Sequence, residues 1–308
     1  MCVSKLLQSA EKAVYMEILN TIINGLNVGV IYAMIALGYT MVYGIAKLLN
    51  FAHGDIIMVG GFTICVFCAM SGSLPMFFVS VIAAILFCVL LGVTVEKVAY
   101  RPLRGASPLA VLITAIGISY LLQSLAQIIF GSAPKSVRVP ELGVFSIGSL
   151  TVKVSTVITL VAATAVMVGL TLFIQYSKTG RAMIAVSEDR GAASLMGINV
   201  NQIITITFAI GSALAALSGL FYMLQSPFIY NTFGAMPGIK AFTAAVIGGI
   251  GSIPGAMVGS ILLGLIESVC DAIPLITPYK DAIEFSILII ILLVKPTGIL
   301  GKKRREKV

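Results

Sequence analysis

The stretch richest in reactive side chains is Asn50-Phe51-Ala52-His53-Gly54-Asp55, which sets an amide, an imidazole and a carboxylate between two apolar runs. It has two readings. In one it is a solvated turn, with Asp55 in the first turn of the next helix, where a negative charge suits the helix dipole. In the other, Asn50, His53, Gly54 and Asp55 lie at the edge of a solute pathway, because polar groups at membrane depth are costly and mark function. Residue types alone do not choose between them. Glu267 and Asp271 are four apart and share a helix face, either as solvated carboxylates near the outer end of a span or as a proton relay. Cys65 and Cys68 form a CxxC inside an apolar run. With a single histidine in the chain, the five cysteines read as small buried hydrophobes and not as zinc or redox ligands.

Other chemistries are excluded by what is missing. A P-loop needs Gly-x4-Gly-Lys-Ser/Thr, and the nearest run, Gly298 to Lys303, has the wrong spacing and no hydroxyl. There is no Gly-x-Ser-x-Gly elbow for a serine nucleophile. The chain is therefore assigned no catalytic, metal or cofactor-binding residue, and nucleotide hydrolysis would have to come from another subunit.

Composition says what surrounds these residues. Of 308 residues, 59% are hydrophobic and 10% charged, with a mean hydropathy of +1.08. Soluble domains carry about 25% charged residues, so the solvent around most of this chain is lipid. Its 30 glycines fit close helix packing in a membrane. The net charge of +8 does not indicate nucleic acid: the basic residues sit between apolar runs and at the C-terminus, as topology signals. The charge-free run Ile18 to Ala46 is too long for a signal peptide core of about 7–15 residues, so it reads as a retained span.

The charge-free intervals predict further spans near 56–70, 76–95, 108–130, between Lys153 and Lys178 and near 203–225, and a short last span runs from about Ala282 to Val294, followed by Pro296 and Gly298. Segment 241–266 differs, because Gly248, Gly249, Gly251, Ser252, Pro254 and Gly255 rule out a continuous helix. Two short helical pieces joined by non-helical backbone are expected, which is tolerated at membrane depth only where protein or water covers it. The fold class is an all-α polytopic bundle of about 8–9 spans, taken as one membrane domain over residues 1–308. The basic tail, Lys302, Lys303, Arg304, Arg305 and Lys307, is placed in the cytoplasm, which puts 96–107 and 176–202 inside and 131–152 outside. The side of the N-terminus stays open. Loop 176–202 is predicted to hold a short helix over Ser187–Leu195, with Ser187 as N-cap and Gly197 as its stop. Gly25/Gly29 and Gly251/Gly255/Gly259 have the small-xxx-small spacing of helix packing. Phe51–Phe62 and Phe242–Ile250 share only a faint pattern.

Three runs, GVIYAMIALGYTMVYGIAKLLNFAHGDIIMVGGF, TGRAMIAVSEDRGAASLMGIN and GIKAFTAAVIGGIGSIPGAMVGSILLGLIES, resemble the LivH-type permease subunits of branched-chain amino acid ABC importers. The resemblance covers about residues 17–300. It implies a bacterial cytoplasmic-membrane location and a partner permease of the LivM type. It also implies two cytoplasmic ATPases carrying ATP and Mg, and an extracellular binding protein delivering leucine, isoleucine or valine. Residues 176–202 then correspond to the loop that docks on the ATPase, containing Arg181, Glu188 and Asp189. Against the importer motif Glu-Ala-Ala-x3-Gly, Ala192, Ala193 and Gly197 match and Gly191 replaces the glutamate. Delivery by a binding protein fits the expectation that no charged residue sits in mid-span. Two other readings are the same architecture carrying urea, amides or other amino acids, and a self-sufficient secondary transporter or channel using His53, Asp55 or Glu267 as proton carriers.

Overall fold

The computed structural model describes residues 2–48, 50–71, 73–140, 143–147 and 150–301. The basic tail from Lys302 onward, on which the orientation rests, lies outside the described residues. Helix α1 runs over Cys2–Ala46, α2 over His53–Met70, α3 over Leu74–Val95, α4 over Pro108–Phe130 and α5 over Val154–Tyr176. Next come α6 (Lys178–Glu188), α7 (Arg190–Leu195), α8 (Val200–Gln225), α9 (Ala235–Gly248), α10 (Ile253–Ala272) and α11 (Lys280–Val294). Seven described helices are long and apolar enough to cross a membrane, beginning with Val14–Ala46 of α1. Together with the 14-residue α9 and the 15-residue α11 they give the expected bundle.

Burial sorts the helices into two shells. The most apolar stretch of α1 is 89% buried, against 67% for α8 and 61% for α2. The corresponding figures are 22% for α3, 17% for α4 and 28% for α5, so those three present most of their apolar surface outward, to lipid or to a neighbouring membrane subunit. Close approach at the centre depends on missing side chains. A Cβ on Gly29 would lie 2.8 Å from the Ile261 Cα, and one on Gly25 2.9 Å from the Leu265 Cα, so α1 and α10 meet nearly backbone to backbone.

The broken segment lies where glycine and proline put it. Helix α9 ends at Gly248, Gly249 and Gly251 adopt positive φ (112° and 89°), and Ser252 caps α10 with Pro254 in its first turn. The second piece is not short, however: α10 has 20 residues, enough for a span. The freed carbonyls at the end of α9 are taken by the chain after α11, as Ile299 N donates to Ile247 O (2.8 Å) and Leu300 N to Gly248 O (2.9 Å).

In 176–202 the single predicted helix is in fact two. Ser187 is not a cap: it lies in the last turn of α6, and its hydroxyl donates back to Ile184 O (2.7 Å). The cap is Asp189, whose extended backbone breaks the helix and whose carboxylate accepts from Ala192 N (2.9 Å). Gly197 does stop the helix, at φ 82°. Short strands, which helical periodicity could not reveal, also occur. They are β1 (Lys135–Ser136), antiparallel to β4 (Phe228–Ile229), and the hairpin β2 (Val144–Ile147) with β3 (Leu150–Lys153).

Replacing Gly29 by Ala should lower the stability of the detergent-solubilised protein by about 1–3 kcal/mol, as overpacking does. Gly169→Ala, where the added methyl meets nothing within 4 Å, should leave stability unchanged or raise it by up to about 1 kcal/mol. Unfolding titrations with sodium dodecyl sulfate measure both. Equal effects at the two sites would contradict the packing described.

Candidate functional site

The first turns of α2 and α9 meet inside the protein. A Cβ on Gly54 would lie 2.6 Å from Gly234 O, and one on Gly238 3.2 Å from the Gly54 Cα, so only glycines allow the two helix starts to touch. Beside this junction is a cavity of about 290 Å³, lined by Tyr39, Phe51, Gly54, Asp55, Ser119, Gln123 and Ala235, with Ile116, Tyr120 and Ile239 at its edge. Tyr120 is 66% exposed and Ile239 43%, so the cavity opens sideways between α4 and α9.

Asp55 does lie in the first turn of α2, but the turn is not solvated. Asn50, His53 and Asp55 are 3%, 1% and 2% exposed. Their roles differ. The Asn50 side chain points away from the cavity and accepts from the Tyr100 hydroxyl (2.8 Å). His53 packs edge-on against Tyr39 (4.6 Å between centroids), and its Nε2 is buried without a hydrogen-bond partner among the described residues. Asp55 faces the cavity and accepts from Gln123 Nε2 (2.8 Å), with Ser119 as a second hydrogen-bonding neighbour. Among the described residues no cation lies within ion-pair distance of it.

A second polar centre lies where none was expected. Lys240 is inside α9 and not in a connecting loop, 4% exposed. Its Nζ reaches Glu267 Oε1 and Asp281 Oδ1 at 2.8 Å each, and Glu284 Oε2 at 3.3 Å. The Tyr32 hydroxyl donates to Glu267 Oε2 (2.7 Å). Lys280 lies 3.3 Å from Glu267 and 3.0 Å from Asp271. Glu267 is thus 8% exposed and paired, correcting its reading as a solvated carboxylate. Glu284, fully buried, was missed altogether. A charge-free-interval rule treats each charge as an end of a span and cannot see partners 27 and 44 residues away.

At the end carrying 96–107 and 176–202, Glu96 is fully buried and accepts from Arg104 and from Thr205 Oγ1 (2.7 Å). Arg104 also donates to Asn201. Arg190 donates to the last carbonyls of α1, Ile45 O (3.3 Å) and Ala46 O, favourable for a cation at a helix C-terminus. Burial and the nearby Arg104 guanidinium hold Arg190 below the usual arginine value. Helix α6 buries Met183 and Val186, and α7 buries Ala193. Arg181, Glu188, Asp189, Ala192 and Gly197 are exposed. So are Leu195 (90%) and Met196 (83%), an apolar tip that sequence reasoning did not single out because isolated apolar residues count toward a core. The break at Gly249–Ser252 lies against Gly44 near the end of α1. The break and the loop thus both meet the C-terminal end of α1, at Gly44 and at Ile45–Ala46, while Asp55 faces the cavity.

The comparisons with known proteins point to import permeases, with the highest identities among those for branched-chain amino acids. The family described as branched-chain amino acid transport system permease component matches residues 21–292. The chain is 44% identical over 301 residues to the high-affinity branched-chain amino acid transport system permease protein BraD of Pseudomonas aeruginosa, covering 94% of this chain and 98% of that one. It is 42% identical over 311 residues to LivH of Escherichia coli K12, a permease protein of the same description, covering 96% and 99%. A probable LivH of Methanocaldococcus jannaschii is 28% identical over 297 residues, covering 87% and 88%.

Lys240→Met should destabilise the protein by about 3–5 kcal/mol, since it strands buried carboxylates. Adding Glu284→Leu should recover part of the loss, with a coupling of about 1 kcal/mol or more. A double-mutant cycle on unfolding measures it, and strict additivity would mean that the cluster does not act as a unit.

Proposed function

We propose, for a chain that belongs to the branched-chain amino acid transport system permease family, that it forms half of the translocation path of an ATP-driven importer of leucine, isoleucine and valine. The protein is a multi-pass integral membrane protein and a permease component. A LivM-type paralogue forms the other half of the path, against the face where the cavity opens between α4 and α9. Two cytoplasmic ATPases bind ATP and Mg, which suits a chain without a P-loop. An extracellular binding protein delivers the cargo at the opposite end.

The observation that carries this reading is the tip of α7. A short amphipathic turn is fixed from behind by Ala193 in the packing and by Arg190 on the end of α1, and it presents Leu195 and Met196 to water. Apolar side chains held out by a rigid element suit a protein partner that offers a groove. We assign residues 176–202 as the ATPase-coupling loop, with the acidic Glu188 and Asp189 beside the tip standing in for the glutamate that Gly191 replaces. The firm attachment of α7 to α1 gives a route by which force on the loop reaches the central helix.

Changing Leu195 and Met196 together to Ser should cut ATP-driven leucine uptake about tenfold or more, each tenfold corresponding to about 1.4 kcal/mol of docking energy, and should release the ATPases on purification. Both side chains are exposed, so the chain should insert and fold as before. The measurement is uptake into proteoliposomes holding the chain, its partner permease and the ATPases, with binding protein and labelled leucine added. Unchanged uptake would remove the docking role, and accumulation by the lone chain on an ion gradient would replace the whole reading with a secondary transporter.

A further inference from the structure

We infer that Asp55 receives the ammonium group of the solute in the cavity between α2, α4 and α9, so that this chain itself, and not only a binding protein, favours a solute that carries a protonated amine. The inference rests on the reading of the chain as half of a permeation path.

Three other carboxylates of the described structure are as deeply buried as Asp55 or nearly so, and each has a cation. Glu96 has Arg104, while Glu267 and Glu284 share Lys240. Asp55, at 2% exposure, has only neutral donors, Gln123 and Ser119. A buried carboxylate without a cation is costly unless it is protonated or a cation arrives from elsewhere. The first turn of α2 offsets part of that cost through its dipole but does not neutralise the charge. Gln123 holds one carboxylate oxygen in a fixed direction, also reaching Ser119 Oγ (3.2 Å), and the carboxylate borders open space.

The remaining lining fits the rest of such a solute. Phe51, Ile116 and Ile239 offer apolar surface within the same cavity, and a volume of about 290 Å³ lies at the lower end for small-molecule sites. A small, mostly apolar space with one unpaired carboxylate suits a short aliphatic side chain attached to an ammonium. The position depends on the glycine contact, because any side chain at Gly54 would separate α2 from α9 and move Asp55 with it.

The test uses the complete transporter in proteoliposomes with loaded binding protein. Asp55→Asn keeps shape and removes charge. Leucine uptake should fall about thirtyfold or more, as when a buried charge loses its partner, while the subunits still copurify and loaded binding protein still stimulates ATP hydrolysis. Asp55→Glu should keep a measurable part of the uptake. Wild-type uptake by Asp55→Asn would overturn the inference and leave the importer reading standing. Absence of ATP-driven leucine uptake by the wild-type complex would instead refute that reading and this inference with it. Should Asp55→Asn fail to assemble, Ser119→Cys is labelled with a cationic or a neutral thiosulfonate of equal size. Much stronger inhibition by the cation, relative to unlabelled variant, supports the assignment, and equal inhibition overturns it.

Discussion

The ammonium of Lys240, itself buried, ties α9 to α10 and α11 through Glu267, Asp281 and Glu284. Glu267 adds α1 to the set through the Tyr32 hydroxyl. Pairs of this kind do not greatly stabilise a fold relative to apolar packing, but breaking one is expensive, and this asymmetry gives register. It matters most for α9, whose 14 residues cannot match the thickness of a bilayer. A full-length span is held at its depth by its own length. Helix α9 is held at its depth by the lysine, by glycine contact with α2 and α10, and by the returning chain at Ile299 and Leu300.

The same economy of space shapes the centre. The most apolar stretch of α1 is surrounded by protein, while α3, α4 and α5 leave most of their own apolar surface outside the packing. Where α10 passes α1, glycines bring the backbones together, and where α2 starts beside α9, glycines do so again. Two helix starts are thereby placed inside the bundle, next to the one cavity that Asp55 borders. Interrupted helices with covered, non-helical backbone between them are a recurrent way to place polar groups at depth without exposing backbone to lipid.

Local features were legible in the sequence and pairings were not. Apolar length located α2, α3, α4 and α8 to within about three residues at each end. The Gly-Gly-x-Gly-Ser-x-Pro-Gly run located the break before α10, and Gly197 the end of α7, because the backbone conformations needed there are local properties. The start of α9 was hidden by Lys240, which a window reads as a boundary. Asp189 and Ser187 are both acceptable caps, and only the packing of Met183 and Val186 decides that α6 extends through Ser187. The depth of His53 and Asp55 and the turn of Asn50 toward Tyr100 depend on helices distant in sequence. The exposure of Leu195 and Met196 is likewise a tertiary fact, since their types suggest the interior.

The distance along the chain between Lys240 and Glu284 sets an order of events in biogenesis. Synthesis runs from the N-terminus, so the lysine leaves the ribosome 44 residues before the glutamate with which it shares the cluster. Glu267 follows it after 27 residues, as part of a helix that must itself be inserted. Until both have arrived, α9 is a short segment with an unmatched charge, which the insertion machinery has reason to leave at the aqueous border. Its carbonyl end is closed only by Ile299 and Leu300, almost at the end of the described chain. The element that abuts the cavity therefore gains its last partners only after the helices around it have been made.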